Sequence, residues 1–267
     1  MPEGDTIHRM AASLRPRLLG RAVRRLYLRE RGDVPEALGR EVRSVEARGK
    51  HLLIGLEGEL NLRVHQGMNG RMRHYAASAA PAGGALPLLI ATAQDAFAFP
   101  RASQVELFRG KPERSLALAR LGPDLLSEAV DLEAVVARAS APRNFGREVG
   151  EVLLDQRVAA GIGNVYKSEA LFLCEQSPFV PIGSMDRQAL QRLYTKAATL
   201  MRANIARDRR VTVKLAELRD RPAAPPELWV YRRGGEPCLK CGTPIAMRRQ
   251  GEAARSTYFC PRCQKVS

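Results

Sequence analysis

The chain has 267 residues and 29.4 kDa, long for one domain and suited to two plus a small module, so roughly 70–75% of the unfolded surface can be buried. A hydrophobic content of 45% excludes wholesale disorder, and no apolar run approaches the ~18–20 residues of a membrane span, Leu86 to Ala91 being the longest candidate. With 43 Lys+Arg against 28 Asp+Glu the formal net charge is +15, which suits a polyanionic partner, most simply nucleic acid, better than a small metabolite.

The start, Met-Pro-Glu-Gly-Asp, is acidic and lacks the apolar core of a signal peptide, so a cytoplasmic protein associated with the nucleoid is expected. Ile7, Met10, Ala11, Leu14 and Leu18 repeat at helical spacing, with Asp5 or Thr6 placed to cap the helix. From Arg21 to Leu107 short extended runs take over. Leu60 to His65 alternates as a half-buried strand does, and Leu52–Ile54, Phe97–Phe99 and Val105–Leu107 are further strand candidates. Residues 76–86, rich in Ala, Gly and Pro, read as a loop. After Gly110-Lys111-Pro112 the pattern turns helical, with helices expected over Leu132–Ala139, Glu148–Gln156, Asn164–Cys174 and Asp186–Ile205. Residues 208–228 carry a linker signal. The expected domains are 1–115, mostly β with a leading helix, 116–228, helical, and 229–267, a metal module.

That last module rests on cysteine spacing. Cys238-Leu-Lys-Cys241 and Cys260-Pro-Arg-Cys263 are two CxxC pairs separated by 18 residues, the spacing of a zinc ribbon, in which four thiolates converge on one tetrahedral Zn²⁺. Disulfides are the alternative, but no secretory signal supports them. Cys174, after Leu171-Phe-Leu, reads as a buried structural thiol.

Three further segments can carry chemistry. Removal of Met1 would leave Pro2 with a free secondary amine, able to attack an aldehydic carbon and form an iminium, with Glu3 adjacent for proton transfer. Lys50, in Arg48-Gly-Lys-His, stands before an apolar strand in a chain with only 7 Lys among its 43 cations. Unlike Arg, Lys can exchange a proton when its pKa is depressed, although on this pattern alone a solvated surface Lys is the default. Gly161 and Gly163 precede a helix beginning at Asn164, an arrangement that offers free N–H groups to a phosphate or forms a plain helical hairpin with an Asn cap.

Taken together and in order, Met-Pro-Glu-Gly-Asp, Arg-Gly-Lys50, His65-Gln-Gly-Met68-Asn-Gly70, Leu-Leu-Asp-Gln…Gly-Ile-Gly-Asn164-Val-Tyr and Arg255-Ser-Thr-Tyr-Phe-Cys-Pro-Arg-Cys-Gln resemble the formamidopyrimidine-DNA glycosylase / endonuclease VIII family of base-excision repair enzymes over nearly the whole chain. The resemblance implies an α+β multidomain fold: an N-terminal β-sandwich with flanking helices, a helix–two-turn–helix domain and a C-terminal zinc-ribbon hairpin. It also implies roles. The Pro2 amine attacks C1′ of the damaged nucleotide, and Glu3 protonates the sugar ring or the leaving base. Lys50 contacts the backbone and assists elimination. Asn164 holds a phosphate. Arg255 clamps phosphates beside the lesion and takes part in δ-elimination. Met68 fills the gap left by the flipped nucleotide. Arg120 resembles a DNA-binding Arg of the endonuclease VIII branch. Cys238, Cys241, Cys260 and Cys263 hold one structural zinc.

Gly4 and the lack of an Arg-Phe pair in Phe99-Pro-Arg-Ala-Ser-Gln104 resemble the endonuclease VIII branch, whereas Gly67-Met68-Asn69 is closer to the other branch, and Asp5 replaces the more usual Glu. The expected function is a bifunctional glycosylase/lyase for oxidised pyrimidines, acting by β,δ-elimination as a monomer on double-stranded DNA with damaged bases or abasic sites, and not on membranes. Two alternatives stand beside it: the same chemistry mainly on oxidised purines, and a non-catalytic binder of damaged DNA, against which the intact Pro2, Glu3 and Lys50 count.

Overall fold

The computed structural model describes residues 2–68, 70–214, 216, 218 and 226–265, which divide into two compact units at Arg120/Leu121. The first unit opens with α1 (Gly4–Leu18). It continues through β1 (Arg25–Leu28), β2 (Gly32–Asp33), β3 (Val42–Arg48), β4 (His51–Leu56), β5 (Leu60–His65), β6 (Arg73–Ala76), β7 (Leu88–Ala91), β8 (Asp95–Ala98) and β9 (Gln104–Arg109), and closes with α2 (Leu116–Ala119). The strands form two antiparallel sheets, β2-β1-β7-β8-β6 and β3-β4-β5-β9. Leu26, Ile90 and Phe97 of one and Val45, Ile54, Leu62 and Val64 of the other share a core with Ile7, Leu14 and Leu18 of α1, which is the β-sandwich with a flanking helix. Alternation decides which residues enter: Leu60, Leu62 and Val64 point inward, and Asn61, Arg63 and His65 take the other face.

The second unit contains α3 (Leu132–Ala139), α4 (Val149–Val152), α5 (Asn164–Leu173) and α6 (Arg187–Asn204), followed by the hairpin β10 (Ala246–Gln250) and β11 (Arg255–Phe259). Leu153, Ile162, Tyr166, Leu190, Leu193 and Ala197 belong to its helical core. Among the described residues no helix is long and apolar enough to cross a membrane.

Several expectations are corrected. The first helix starts one turn before its apolar stripe: Glu3 is the N-cap residue, its carbonyl accepting from the amides of Thr6 (3.0 Å) and Ile7 (3.2 Å). Asp5 therefore lies in the first turn, where an acid suits the helix dipole. The helix expected over Glu148–Gln156 is only the single turn α4, opened by a Glu148/Glu151 capping box. It stops because side chains downstream compete for the backbone: Asp155 Oδ1 accepts from Arg157 N (3.1 Å), and Gln156 Nε2 donates to the Leu154 (2.8 Å) and Ile162 (3.0 Å) carbonyls. Phe99 lies just past β8 yet remains in the core. Cys174 is half-buried rather than buried, packed against the edge of the helical core. Of the expected linker, residues 215, 217 and 219–225 lie outside the described residues, and the amides of Thr212 and Val213 are tied to the Glu227 carbonyl.

Candidate nucleic-acid interface and metal centre

In the first unit, topology gathers four of the singled-out residues at one end. Arg15 Nε donates to the Val45 carbonyl (2.8 Å) and the Gly20 amide to the Val42 carbonyl (2.9 Å), so α1 runs antiparallel to β3. Its N-terminus, with half-buried Pro2 and fully buried Glu3 (0% exposed), thus comes to the end of the sheet where β3 turns into β4. Lys50 sits in that turn, half-buried. His51 and His65 are directly opposed across β4 and β5, so the loop after β5, with Met68, leaves from the same end. Gln66, buried under this loop, donates to Met10 Sδ of α1 (3.5 Å). Met68 itself is 56% exposed. Gly67 has φ +68°, and a Cβ there would come within 2.8 Å of Ser103 Cβ, so the loop requires glycine at this point.

A polar cluster lies beneath the Lys50 turn. Arg63, nearly buried, donates from Nε to Glu106 Oε2 (2.6 Å) and from Nη1 to Gln104 Oε1 (3.2 Å) and His51 Nδ1 (3.1 Å). A guanidinium cannot accept, so His51 Nδ1 is the acceptor and its proton sits on Nε2. Burial, then the charges of His65, Arg63 and Lys50, push the His51 imidazolium down to about 3. His65 is also held below its ordinary value, by burial first and then by Lys50 and Arg63. Its Nδ1 accepts from the Gly67 amide (3.3 Å). Lys50 therefore sits beside two imidazoles whose charged forms are disfavoured by burial and by the neighbouring cations. Sequence reasoning passed over Arg63, whose position in an alternating strand reads as solvent-facing; its partners Gln104 and Glu106 on β9 and His51 on β4 engage its guanidinium.

In the second unit the expected phosphate holder lies where the turn meets α5. Gly163, not Asn164, is the N-cap residue. Asn164 is the first helical residue, 6% exposed, and its Oδ1 has no hydrogen-bond partner among the described residues. Gln156 shapes the preceding turn, its Oε1 accepting from the Gly161 amide (3.0 Å). Asp155 anchors it: hydrogen bonds from the Arg157 side chain hold its carboxyl well below the usual carboxylate range against the opposing effect of burial.

Strand β11 runs beside α5 in the same sense: Lys167 bonds Ser256 and Thr257, the Tyr258 amide donates to Ser168 Oγ (3.4 Å), and Gln264 Nε2 donates to the Gln176 carbonyl (2.9 Å). Exposed Arg255, at the start of β11, and Asn164, at the start of α5, thereby fall at one end of this unit. Arg120 is exposed at the C-cap of α2, the last residue of the first unit.

The four paired cysteines form the metal centre. Their sulfurs lie within 4.8 Å of one another, with Cys241–Cys260 at 3.5 Å and Cys238–Cys263 at 3.9 Å. A tetrahedron with Zn–S bonds of about 2.3 Å needs S···S separations of about 3.8 Å, so the donor set and its size fit one structural Zn²⁺. The knuckle is braced by buried Arg233, which donates to the carbonyls of Trp229 (2.7 Å) and Pro237 (2.9 Å).

Comparison with known proteins agrees with this division. Residues 1–106 match the model for the formamidopyrimidine-DNA glycosylase N-terminal domain, 121–215 its H2TH domain, and 235–266 the zinc finger found in FPG and IleRS. A probable endonuclease 8 2 of Streptomyces coelicolor is 39% identical, over 99% of this chain and 94% of its own. The DNA-(apurinic or apyrimidinic site) lyase Nei2 of Mycolicibacterium smegmatis is 36% identical over the whole of both chains. The crystal structure of the MutM (Fpg) protein from Thermus thermophilus superposes with a TM-score of 0.77 at 32% identity, covering 100% of each chain. Three matched domains in one order and relatives this similar over their full length place the chain in the formamidopyrimidine-DNA glycosylase / endonuclease VIII family.

Proposed function

We propose that the protein is a base-excision repair enzyme, a bifunctional DNA glycosylase and abasic-site lyase that removes oxidised bases from double-stranded DNA, pyrimidines favoured. The observation that carries this reading is the meeting of Pro2, Glu3, Lys50 and Met68 at one end of the first unit. With Met1 removed, the Pro2 amine bonds to C1′ as the bond from C1′ to the base breaks. The sugar ring opens to an iminium: the amine gives up its N–H proton and Glu3 supplies a second, and the two end on the ring oxygen and the departing base. Loss of a C2′ proton then expels the 3′ phosphate, and a second elimination expels the 5′ phosphate. Lys50 serves these proton transfers beside the DNA backbone. Asn164 and Arg255 hold phosphates, Arg120 adds a further DNA contact, and Met68 occupies the gap in the stack. The family name and the relatives named above support the chemistry. Gly4 and the missing Arg-Phe pair support the pyrimidine preference.

Two end-labelled duplexes test it, one with an oxidised pyrimidine opposite a purine and one with 8-oxoguanine opposite cytosine. Faster cleavage of the first, with ends phosphorylated on both sides of the gap, is expected. Preference for 8-oxoguanine reverses the lesion assignment, and products with only one eliminated phosphate remove the δ step.

A further inference from the structure

Lys167 has a use that the chemistry above does not absorb. It lies in the middle of α5 and is 0% exposed. Lysine is almost never fully buried unless its ammonium is engaged. Here Nζ donates to Thr257 Oγ1 (2.6 Å) and to the Ser256 carbonyl (3.2 Å). The chain of bonds continues: Thr257 Oγ1 donates to Gln250 Oε1 (2.7 Å), and Gln250 Nε2 donates to Glu148 Oε2 (2.8 Å) and the Pro178 carbonyl (2.9 Å). Gly150 makes room for it, since a Cβ there would lie 2.4 Å from Gln250 Oε1. Gln250 and Arg255 are the last cross-strand pair of the hairpin. The network therefore grips both strands where Arg255 leaves them, and one anchor is the carbonyl of the next residue, Ser256.

We propose that Lys167 is a positioning residue for Arg255, fixing the start of β11 to α5 so that the Arg255 guanidinium and the α5 N-terminus with Asn164 present themselves to DNA in a set geometry. An ammonium suits this task because it donates to a carbonyl and a hydroxyl at once, through charge-assisted bonds. The proposal rests on the reading of Arg255 as a phosphate contact.

The test is a double-mutant cycle on the zinc-loaded full chain, binding a duplex that carries a tetrahydrofuran abasic analogue, over a salt series. Arg255→Ala is expected to flatten the slope of log K against log salt by about 0.9, the loss of one phosphate contact. Lys167→Met is expected to bind about ten-fold more weakly with the same flattening. The double variant should be no weaker than Arg255→Ala. Thr257→Val should repeat the Lys167→Met effect and Thr257→Ser should restore binding; this pair carries the test if Lys167→Met loses zinc or its cooperative unfolding. Parent-like binding by Lys167→Met, or by Thr257→Val, overturns the proposal, as does a double variant weakened by the full product of the single effects. Parent-like binding by Arg255→Ala removes the phosphate reading itself, and the proposal with it.

Discussion

His51 folds uncharged, and this has a consequence for stability. Its folded value of about 3 lies below the ordinary 6.5 of the unfolded chain. Between those values the unfolded state binds a proton that the native state does not, so stability rises with pH and is lost as pH falls below 6.5. The loss approaches ~1.4 kcal/mol per pH unit at most. His51→Gln keeps an acceptor for Arg63 without a titrating ring, and the fall in urea midpoint from pH 7 to pH 5 should be smaller than in the parent. On the proposed mechanism, Glu3→Gln should bind an abasic analogue as the parent does yet release no base from a lesion duplex, since binding would rest on phosphates and base release on the proton. Glu169 illustrates what the sequence hides. It is fully buried in α5, accepting from Thr212 Oγ1 and from the amides of Trp229 (2.8 Å), Val230 (2.9 Å) and Tyr231 (2.8 Å). Burial pushes its carboxyl up, and the four donors pull it down. Helical periodicity sends Lys167 and Glu169 to solvent. Only the return of residues 229–231 and 255–258 onto α5 buries them, and no local pattern encodes that return.

At the scale of elements, strands with strict alternation, such as β5, and helices with a full apolar face, such as α6, were legible to within a residue. The failures are α4 and the start of α1, where side-chain bonds to the backbone override periodicity. The metal hairpin was legible in its ligands and not in its packing. It does not stand alone: Cys238, Ile245 and Cys260 share a core with Phe172, Val213 and Trp229, and the Phe172 and Trp229 rings stack at 5.5 Å. Zinc therefore supports one face of α5 as well as the hairpin. Cys260→Ser, or removal of metal by a chelator, should weaken DNA binding through Arg255 and also lower the unfolding midpoint of the helical unit. An unchanged helical midpoint in a metal-free sample would show that the shared core holds without the ion.

For the whole molecule, a net charge of +15 predicts tight, salt-sensitive binding to any duplex, so affinity alone says little about damage. On the proposed reading discrimination falls to Met68, which is exposed on its loop. Opening the stack costs a few kcal/mol, part of which a flexible apolar side chain offsets by filling the gap. Met68→Ala should slow excision from a duplex and hardly affect a single-stranded lesion, with the salt slope unchanged; equal losses on both would make Met68 a pocket residue. The covalent step is tested most directly by borohydride reduction of the protein on an abasic-site duplex, followed by digestion and mass mapping of the adduct. A single adduct on the peptide that begins at Pro2, abolished when one residue is added before Pro2, is the expected result. An adduct on Lys50 or any other residue, or undiminished trapping with the extended N-terminus, would contradict it.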